Sequence, residues 1–544
     1  MFIIFRLHFY HVILTVTLLY RCLVMSVEKG QIKVDIFEID VDENIVLLNR
    51  ETAEALDLKS QDRIVIQSKT GDKAYAVLYI SNLVTEKGLG LISDTLAKSL
   101  NIRSGDFVKI SLAPIPRSLQ YIKRKINGEK LESKEIYEII KDIVDGHIGS
   151  VEIMGFVSAV NFVGMDIDEI EALTRAMVET GNTIEFDVPT FDKHSIGGVP
   201  GNKVSLLIVP IVASADLLIP KTSSKAITSP TGTADTMEVL ANVEFTIEEF
   251  VEIVKKTNGA IVWGGKLDLA PADDIIIRAE KTLGIDPVPQ MIASIMAKKI
   301  AAGIKHLVLD IPVGAGTKMS SVEDATNFGR LFIELGQRVG VHVQCGITYG
   351  AQPVGHAVGP ALEAREALLA LKGEGPASLI EKATSLAGIL LEMGGKAPIG
   401  WGYQLAKDIL NSGKAYEKMK EIIAAQGGNP DIKPDEIPVG EYHYEVFAPV
   451  DGFVTDVSNT AIAAIARAAG APKDKGAGVI IHVKRGRKVN KGDKILDIYA
   501  ERATRLQDAV TVLHNTRPII IEGMLLKTIP ERPIYTYYSQ GSSS

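Results

Sequence analysis

The sequence predicts a multidomain α/β protein, and three observations carry that prediction. At 544 residues the chain is longer than one hydrophobic core usually serves, so about three or four domains are expected. Between residues 190 and 370, apolar runs end in Gly-rich loops and lead into amphipathic helices, the alternation of an α/β domain. Short β runs and a helical stripe precede that region, and a turn-rich segment with strands of its own follows it.

Composition narrows the functional classes. Hydrophobic residues make up 46% of the chain and charged residues 23%, a globular balance that excludes wholesale disorder. A net charge of −8 speaks against a protein that coats nucleic acid. It leaves small phosphorylated substrates open, because local loops bind those. Only Cys22 and Cys345 are present, so neither a disulfide framework nor a Cys-based zinc site can be built. A reducing, cytoplasmic setting is expected.

Residues 1–24 stand apart from the rest. Their apolar stretch, 9–20, is shorter than the roughly 20 residues a membrane span needs, and no small-x-small cleavage site follows it. An upstream start codon, with Met25 as the first residue, or a cleaved segment accounts for them, and no membrane attachment is expected. Residues 25–115 read as a small N-terminal β-barrel, with strands at 34–37, 45–48, 63–67, 75–79 and 107–111. Pro114 and Pro116 mark a linker. A helical domain follows at 116–189, joined by parts of 270–300. In it Ile136, Ile139, Ile140 and Ile143 form one buried stripe, and a second helix starts at Asp168 with Glu171 as capping-box partner.

The central α/β domain spans 190–431, with a strand at 306–311, a Gly-rich loop, a helix carrying Phe328, Phe332 and Leu335, and a strand at 341–345. The last domain, 432–534, reads as α+β with a tail at 535–544. Its Ala448-Pro449-Val450-Asp451-Gly452 and Lys491-Gly492-Asp493-Lys494 segments are spaced as in the flattened β-sandwich of biotinyl and lipoyl carriers. Tyr499-Ala500-Glu501-Arg502 holds no lysine for a carrier to modify, so the likeness is one of shape.

The most informative segment is Asp192-Lys193-His194-Ser195-Ile196-Gly197-Gly198-Val199-Pro200-Gly201-Asn202-Lys203, followed by an apolar run at 204–212. Three glycines within five residues let backbone N–H groups converge on an anion. Lys193, Ser195 and Ser205 add a charge and two hydroxyls, and a helix beginning near Asn202 would aim its positive end at the same anion. An ordinary βα turn has the glycines but needs none of the flanking donors. A Walker P-loop is excluded, because Asn202 separates Gly201 from Lys203.

A second donor-rich segment runs from Lys221 to Asp235 with seven hydroxyl side chains and two lysines. Alone it reads equally well as a solvated loop. Two such loops, nearly free of acids, predict a substrate with two phosphates, or with one phosphate and a sugar. Further on, Asp286 before Pro287 is a good N-cap, Ser294 and Lys298 share a helix face, and Lys318 follows Gly314-Ala315-Gly316. His194, His342 and His356 are isolated, no cluster at metal spacing is visible, and no metal or cofactor is expected.

The segment at 193–203 resembles the Lys-x-Ser-x-Gly-Gly-x-Gly-Asp region of the thymidine and pyrimidine-nucleoside phosphorylases. Leu269-Ala270-Pro271-Ala272-Asp273 and Ala293-Ser294-Ile295-Met296-Ala297-Lys298-Lys299 match the same family in the same order, and the likeness covers the chain from about Pro116 onward. The departures resemble the archaeal-type AMP phosphorylases: Pro200 is extra, Asn202 replaces Asp, Thr228-Ser229-Pro230-Thr231-Gly232 replaces Gly-His-Thr-Gly-Gly, and a β domain is added in front.

This resemblance implies conversion of AMP and phosphate into adenine and ribose 1,5-bisphosphate, with CMP and UMP as further substrates. Phosphate is then a co-substrate. It also implies a homo-oligomer, dimeric through the helical domain. Carried over by position, Gly198, Ser224, Lys225, Ala226, Ile227, Thr228, Ser229, Thr233, Ser294 and Lys318 would contact the nucleotide. Lys193, Ser195 and Ser205 would line the phosphate site, and Asp286 would be the proton donor. The alternatives are a thymidine or pyrimidine nucleoside phosphorylase, an anthranilate phosphoribosyltransferase, which would need a magnesium-binding acidic pair, and a biotinyl-type carrier.

Overall fold

The computed structural model describes residues 30–39, 43–81, 86–226 and 229–524. The segment at 1–24 read as an upstream start or a cleaved piece, the tail at 535–544, and the site candidates Ile227 and Thr228 lie outside these residues. The chain divides into two compact units: residues up to Thr180 with Pro271–Met291, and Gly181–Ala270 with the residues from Ile292 onward.

In the first unit, β1 (Gln31–Phe37), β2 (Ile45–Leu48), β3 (Arg63–Gln67), β4 (Lys73–Ile80), β5 (Leu89–Ser93) and β6 (Phe107–Leu112) close into a barrel ordered β1-β5-β2-β4-β3-β6. Alternate residues fill it: Ile32 and Val34, Val46 and Leu48, Ile64 and Ile66, Val108 and Ile110. Burying each such side chain stabilises the fold by about 1.5–3 kcal/mol, and a one-residue slip would turn the whole set to water. Strand β5 is missing from the sequence reading because Gly88 and Gly90 look like a turn. A Cβ at Gly90 would lie 3.0 Å from Leu48 Cδ2 and 3.3 Å from Ile32 Cγ2, so the glycine makes room inside the barrel.

The helix Ser133–Val144 buries Ile136, Ile139, Ile140 and Ile143, the stripe the spacing predicts. The next expectation is corrected: the helix Ile167–Glu179 is capped by Asp166 with Glu169, not by Asp168 with Glu171. Asp166 Oδ1 accepts from the Glu169 N–H at 3.0 Å, and Glu169 Oε2 accepts from the Asp166 N–H at 3.2 Å. Glu169 is also buried against Lys125, whose Nζ lies 2.7 and 2.9 Å from its two oxygens. That enclosed ion pair holds Glu169, rather than Glu171, in the capping turn.

The second unit is built on parallel strands: β7 (Phe191–Ser195), β8 (Ile219–Ser223), β9 (Gly259–Trp263), β10 (His306–Val313) and β11 (His342–Tyr349). They form sheets ordered β11-β10-β7 and β8-β9, and a parallel bridge between Thr190 and Leu218 aligns β7 with β8. Helix Ser205–Ala213 is buried all round, and its apolar residues join one large core with the helices Pro360–Leu371 and Ala377–Met393.

The C-terminal part holds β12 (Ala357–Val358), β13 (Tyr442–Phe447), β14 (Gly452–Val457), β15 (Gly478–Ile481), β16 (Lys488–Val489), β17 (Lys494–Ala500) and β18 (Ile519–Glu522). They make an antiparallel sheet β12-β15-β17-β13 and a second sheet β16-β14-β18, over a core shared with helix Asn459–Ala468. Among the described residues no helix is long and apolar enough to cross a membrane.

Candidate active site

Because β7, β8 and β10 run in one direction, their carboxyl ends open on the same edge of the sheet. From these ends lead the glycine-rich loop after Ser195, the hydroxyl-rich loop after Ser223, and the Gly314-Ala315-Gly316 loop. Ligand sites in open parallel sheets lie at such edges.

Under the first loop sits an enclosed set of charges. Lys193, Lys221, Lys299 and Lys382 are all buried, as are Asp192 and Asp310. Lys299 Nζ lies 2.6 Å from Asp192 Oδ2, and Lys221 Nζ lies 3.5 Å from Asp192 Oδ1. Asp310 Oδ2 is 3.6 Å from Lys193 Nζ and 3.1 Å from Lys382 Nζ. Asp310 also accepts from Thr348 Oγ1 at 2.6 Å and from Asn202 Nδ2 at 3.2 Å, while Asn202 Nδ2 donates to Ser195 Oγ at 3.0 Å.

Four ammonium groups thus face two carboxylates, and a buried charge excess of this kind is stable only when the groups lose protons or gain an anion. Burial pushes Lys193 down to about 8 despite Asp310, and pushes Lys221 down to about 7 despite Asp192. Burial, together with Lys299, Lys221 and Lys193, drives His194 well below the usual imidazole range. Burial would raise Asp310, but Lys382, Lys193 and its hydrogen bonds hold it at about 2.

The glycines of the first loop adopt left-handed backbone. Gly198, at φ +89°, packs so closely on its neighbour that a Cβ would lie 3.0 Å from the Lys318 nitrogen. Two expected nucleotide contacts 120 residues apart in sequence therefore share one surface. Both are exposed. Gly201, at φ +73°, leaves no space either, since a Cβ would lie 2.6 Å from the Val354 oxygen.

The helix expected near Asn202 begins instead at Ser205. The Lys203 N–H donates to the Gly201 oxygen at 2.8 Å, a tight turn rather than a helical bond, while its Nζ is held by the backbone oxygens of Val354 and Ala357, at 3.2 and 2.9 Å, and by Glu366 at 2.5 Å. Ser205 is buried in the first turn.

In the second loop Ser224 and Ser229 are exposed, and Thr233 opens the short helix Thr233–Glu238. Lys225 lies 2.8 Å from Glu238 and 2.9 Å from Glu244, with its ammonium 4.6 Å above the Trp263 ring. The picture of two loops nearly free of acids is therefore corrected: carboxylates sit beneath both, from Asp192 and Asp310 under one and from Asp235 and Glu238 under the other. Ser294 is half-buried, as is Lys298 one turn later, on the helix Val288–Ala301. Asp286 belongs to the first unit and is exposed, in the turn ahead of that helix.

Sequence reasoning missed Asp310 and Lys382 as members of this cluster. Each had a signal: Asp310 interrupts the apolar strand His306–Val313, and Lys382 sits on the buried stripe of helix Ala377–Met393 with Leu379 and Leu386. A candidate metal site was also missed. His443, Glu445 and Asp497 converge from β13 and β17, a pairing that spacing along the chain hides. Lys494 Nζ lies 3.0 Å from Glu445 and 3.3 Å from Asp497, so an ammonium already balances these carboxylates.

Family models match most of the chain. Residues 119–181 match the helical bundle domain of a glycosyl transferase family, and 187–416 match its a/b domain. Residues 453–520 match the pyrimidine nucleoside phosphorylase C-terminal domain. Fold and matches together define a pentosyltransferase of the glycosyl transferase type.

Within that class the chain belongs to the AMP phosphorylase family. The AMP phosphorylase of Thermococcus kodakarensis is 54% identical over 487 residues, covering 89% of this chain and 96% of the relative. That of Methanocaldococcus jannaschii is 51% identical over 500 residues, covering 92% and 99%. Among solved structures, anthranilate phosphoribosyltransferase from Thermus thermophilus matches with a TM-score of 0.49 and 23% identity, over 56% of this chain and 99% of its own.

Proposed function

We propose that the chain catalyses phosphorolysis of nucleoside 5′-monophosphates, converting AMP and inorganic phosphate into adenine and α-D-ribose 1,5-bisphosphate, with CMP and UMP as further substrates. The observation that carries the reading is the enclosed excess of lysine over aspartate beside the glycine-rich loop. A phosphate dianion offers the charge this cluster lacks. No cofactor is assigned; phosphate itself supplies the nucleophile.

In this reading Lys193, Ser195 and Ser205 form the phosphate site. Gly198, Ser224, Lys225, Ala226, Ile227, Thr228, Ser229, Thr233, Ser294 and Lys318 contact the nucleotide. A phosphate oxygen attacks the anomeric carbon as the bond to the base breaks, so positive charge grows on the ribose ring and negative charge on adenine. Holding nucleophile and ribose in line supplies much of the acceleration. Asp286 donates the proton that lets adenine leave neutral, a role that typically contributes about 10²–10⁴-fold. Asp286 is exposed, so bound substrate must cover the carboxyl to bring it against the departing base.

The enzyme acts in the cytoplasm as a homo-oligomer. A self-contact through the helical region is supported by Val151 and Phe162, each 83% exposed on the helix Ser150–Val163. Base release from AMP, CMP, UMP, GMP, adenosine and thymidine, each with and without phosphate, tests the assignment. Turnover of AMP only with phosphate supports it. Turnover of thymidine or adenosine in preference to AMP would assign a nucleoside phosphorylase instead.

A further inference from the structure

The hydroxyl-rich loop is closed at its neck by one carboxylate. Asp235 Oδ2 accepts from the Ala226 N–H at 2.6 Å and from the Gly232 N–H at 3.0 Å, so both ends of the loop hang on a single oxygen. The neck is tight: a Cβ on Gly232 would lie 2.6 Å from the Ser224 oxygen and 2.9 Å from the Ala226 nitrogen. Ordinary helix capping accounts for the Gly232 bond, since Asp235 is the third residue of the helix Thr233–Glu238. It does not account for Ala226, nor for what holds the other oxygen.

Asp235 Oδ1 lies 3.2 Å from Nζ of Lys475, which comes from the C-terminal part of the chain. Lys475 also lies 2.5 Å from Glu238, whose other oxygen pairs with Lys225 of the loop at 2.8 Å. Asp235 is buried, while Lys475 is about one-third exposed.

We infer that Asp235 is a positioning residue for the nucleotide loop, and that Lys475 aims it. This rests on the reading that the loop binds AMP. With one oxygen held by Lys475, the other is fixed toward the Ala226 and Gly232 N–H groups, which holds these two residues in place. Neither residue touches the phosphate cluster at Lys193, so their effect falls on AMP and spares phosphate.

The test compares KM for AMP, KM for phosphate and kcat in Asp235→Ala, Asp235→Asn and Lys475→Met, with Thr233→Ala as a probe of direct contact and a thermal melt for each. Asp235→Ala is expected to raise KM for AMP by about tenfold or more, with KM for phosphate within about twofold. Asp235→Asn, which keeps an acceptor oxygen, restores part of the loss, and Lys475→Met gives a smaller rise in the same constant. If Thr233→Ala raises KM for AMP while folded Asp235→Ala and Lys475→Met do not, the positioning role is overturned and the loop remains the AMP site. If none of the four changes KM for AMP, the loop is not the AMP site and both readings fall. Equal losses for AMP and phosphate in Lys475→Met would show general damage and also overturn the inference.

Discussion

Lys193 and Lys382 meet at one oxygen: Asp310 Oδ2 lies 3.6 Å from the first ammonium and 3.1 Å from the second. They reach it from β7 and from the helix Ala377–Met393, in the enclosed core of the second unit. One carboxylate oxygen cannot neutralise two ammonium groups, and in the proposed reading an incoming phosphate would fill that deficit.

Removing either lysine should therefore act on phosphate. Lys382→Met is expected to raise KM for phosphate by about 10–100-fold, the range for a lost hydrogen bond to a charged group, with KM for AMP little changed. Initial rates with each substrate varied in turn give both constants. An unchanged KM for phosphate would remove Lys382 from the site.

The cluster also sets a pH dependence. Burial holds Lys221 at about 7 and Lys193 at about 8, both below the ordinary 10.5. Below those values the ammonium forms remain and bind the anion. As pH rises through 7 to 8 they lose protons, and affinity falls. Binding near pH 8 should then draw protons from solution, which calorimetry with sulfate in two buffers of different ionisation enthalpy detects. Without ligand the sign for stability is opposite. Between about 7 and 10.5 the unfolded lysines hold protons that the folded ones have released, so the empty protein gains stability as pH rises. Heats independent of buffer would contradict this.

Lys203 answers to stability rather than to substrate. It is enclosed by Glu366 and two backbone oxygens, so Lys203→Met strands a buried carboxylate. A loss of about 3–5 kcal/mol is expected, partly recovered by adding Glu366→Gln, which keeps an acceptor for the His356 and Ala357 N–H groups. Denaturant unfolding of the single and double variants measures it.

Asp286 should answer to chemistry alone. Asp286→Asn is expected to lower kcat by about 10²–10⁴-fold while KM for AMP stays within a few-fold. Near-normal turnover would rule out its acid role.

Much of this was legible in the sequence where period or local chemistry is decisive. The strand Ile45–Leu48, the stripe from Ile136 to Ile143 and the glycine loop at 193–203 each follow from spacing alone. What local pattern could not supply was contact across the fold. The capping box read at Asp168 and Glu171 lies instead at Asp166 and Glu169, where the buried Lys125 also pairs with Glu169. Gly90 resembles a turn until Leu48 and Ile32 crowd it from neighbouring strands. Asp310 and Lys382 joined the site only when β10 and a distant helix were brought beside Lys193.

The most direct test of the central claim follows the fate of phosphate by ³¹P NMR, with AMP and inorganic phosphate as the only substrates. The account predicts that inorganic phosphate and AMP decline together while one sugar product with two phosphate signals appears in equal amount to adenine. Accumulation of ribose 5-phosphate with no consumption of inorganic phosphate would contradict it.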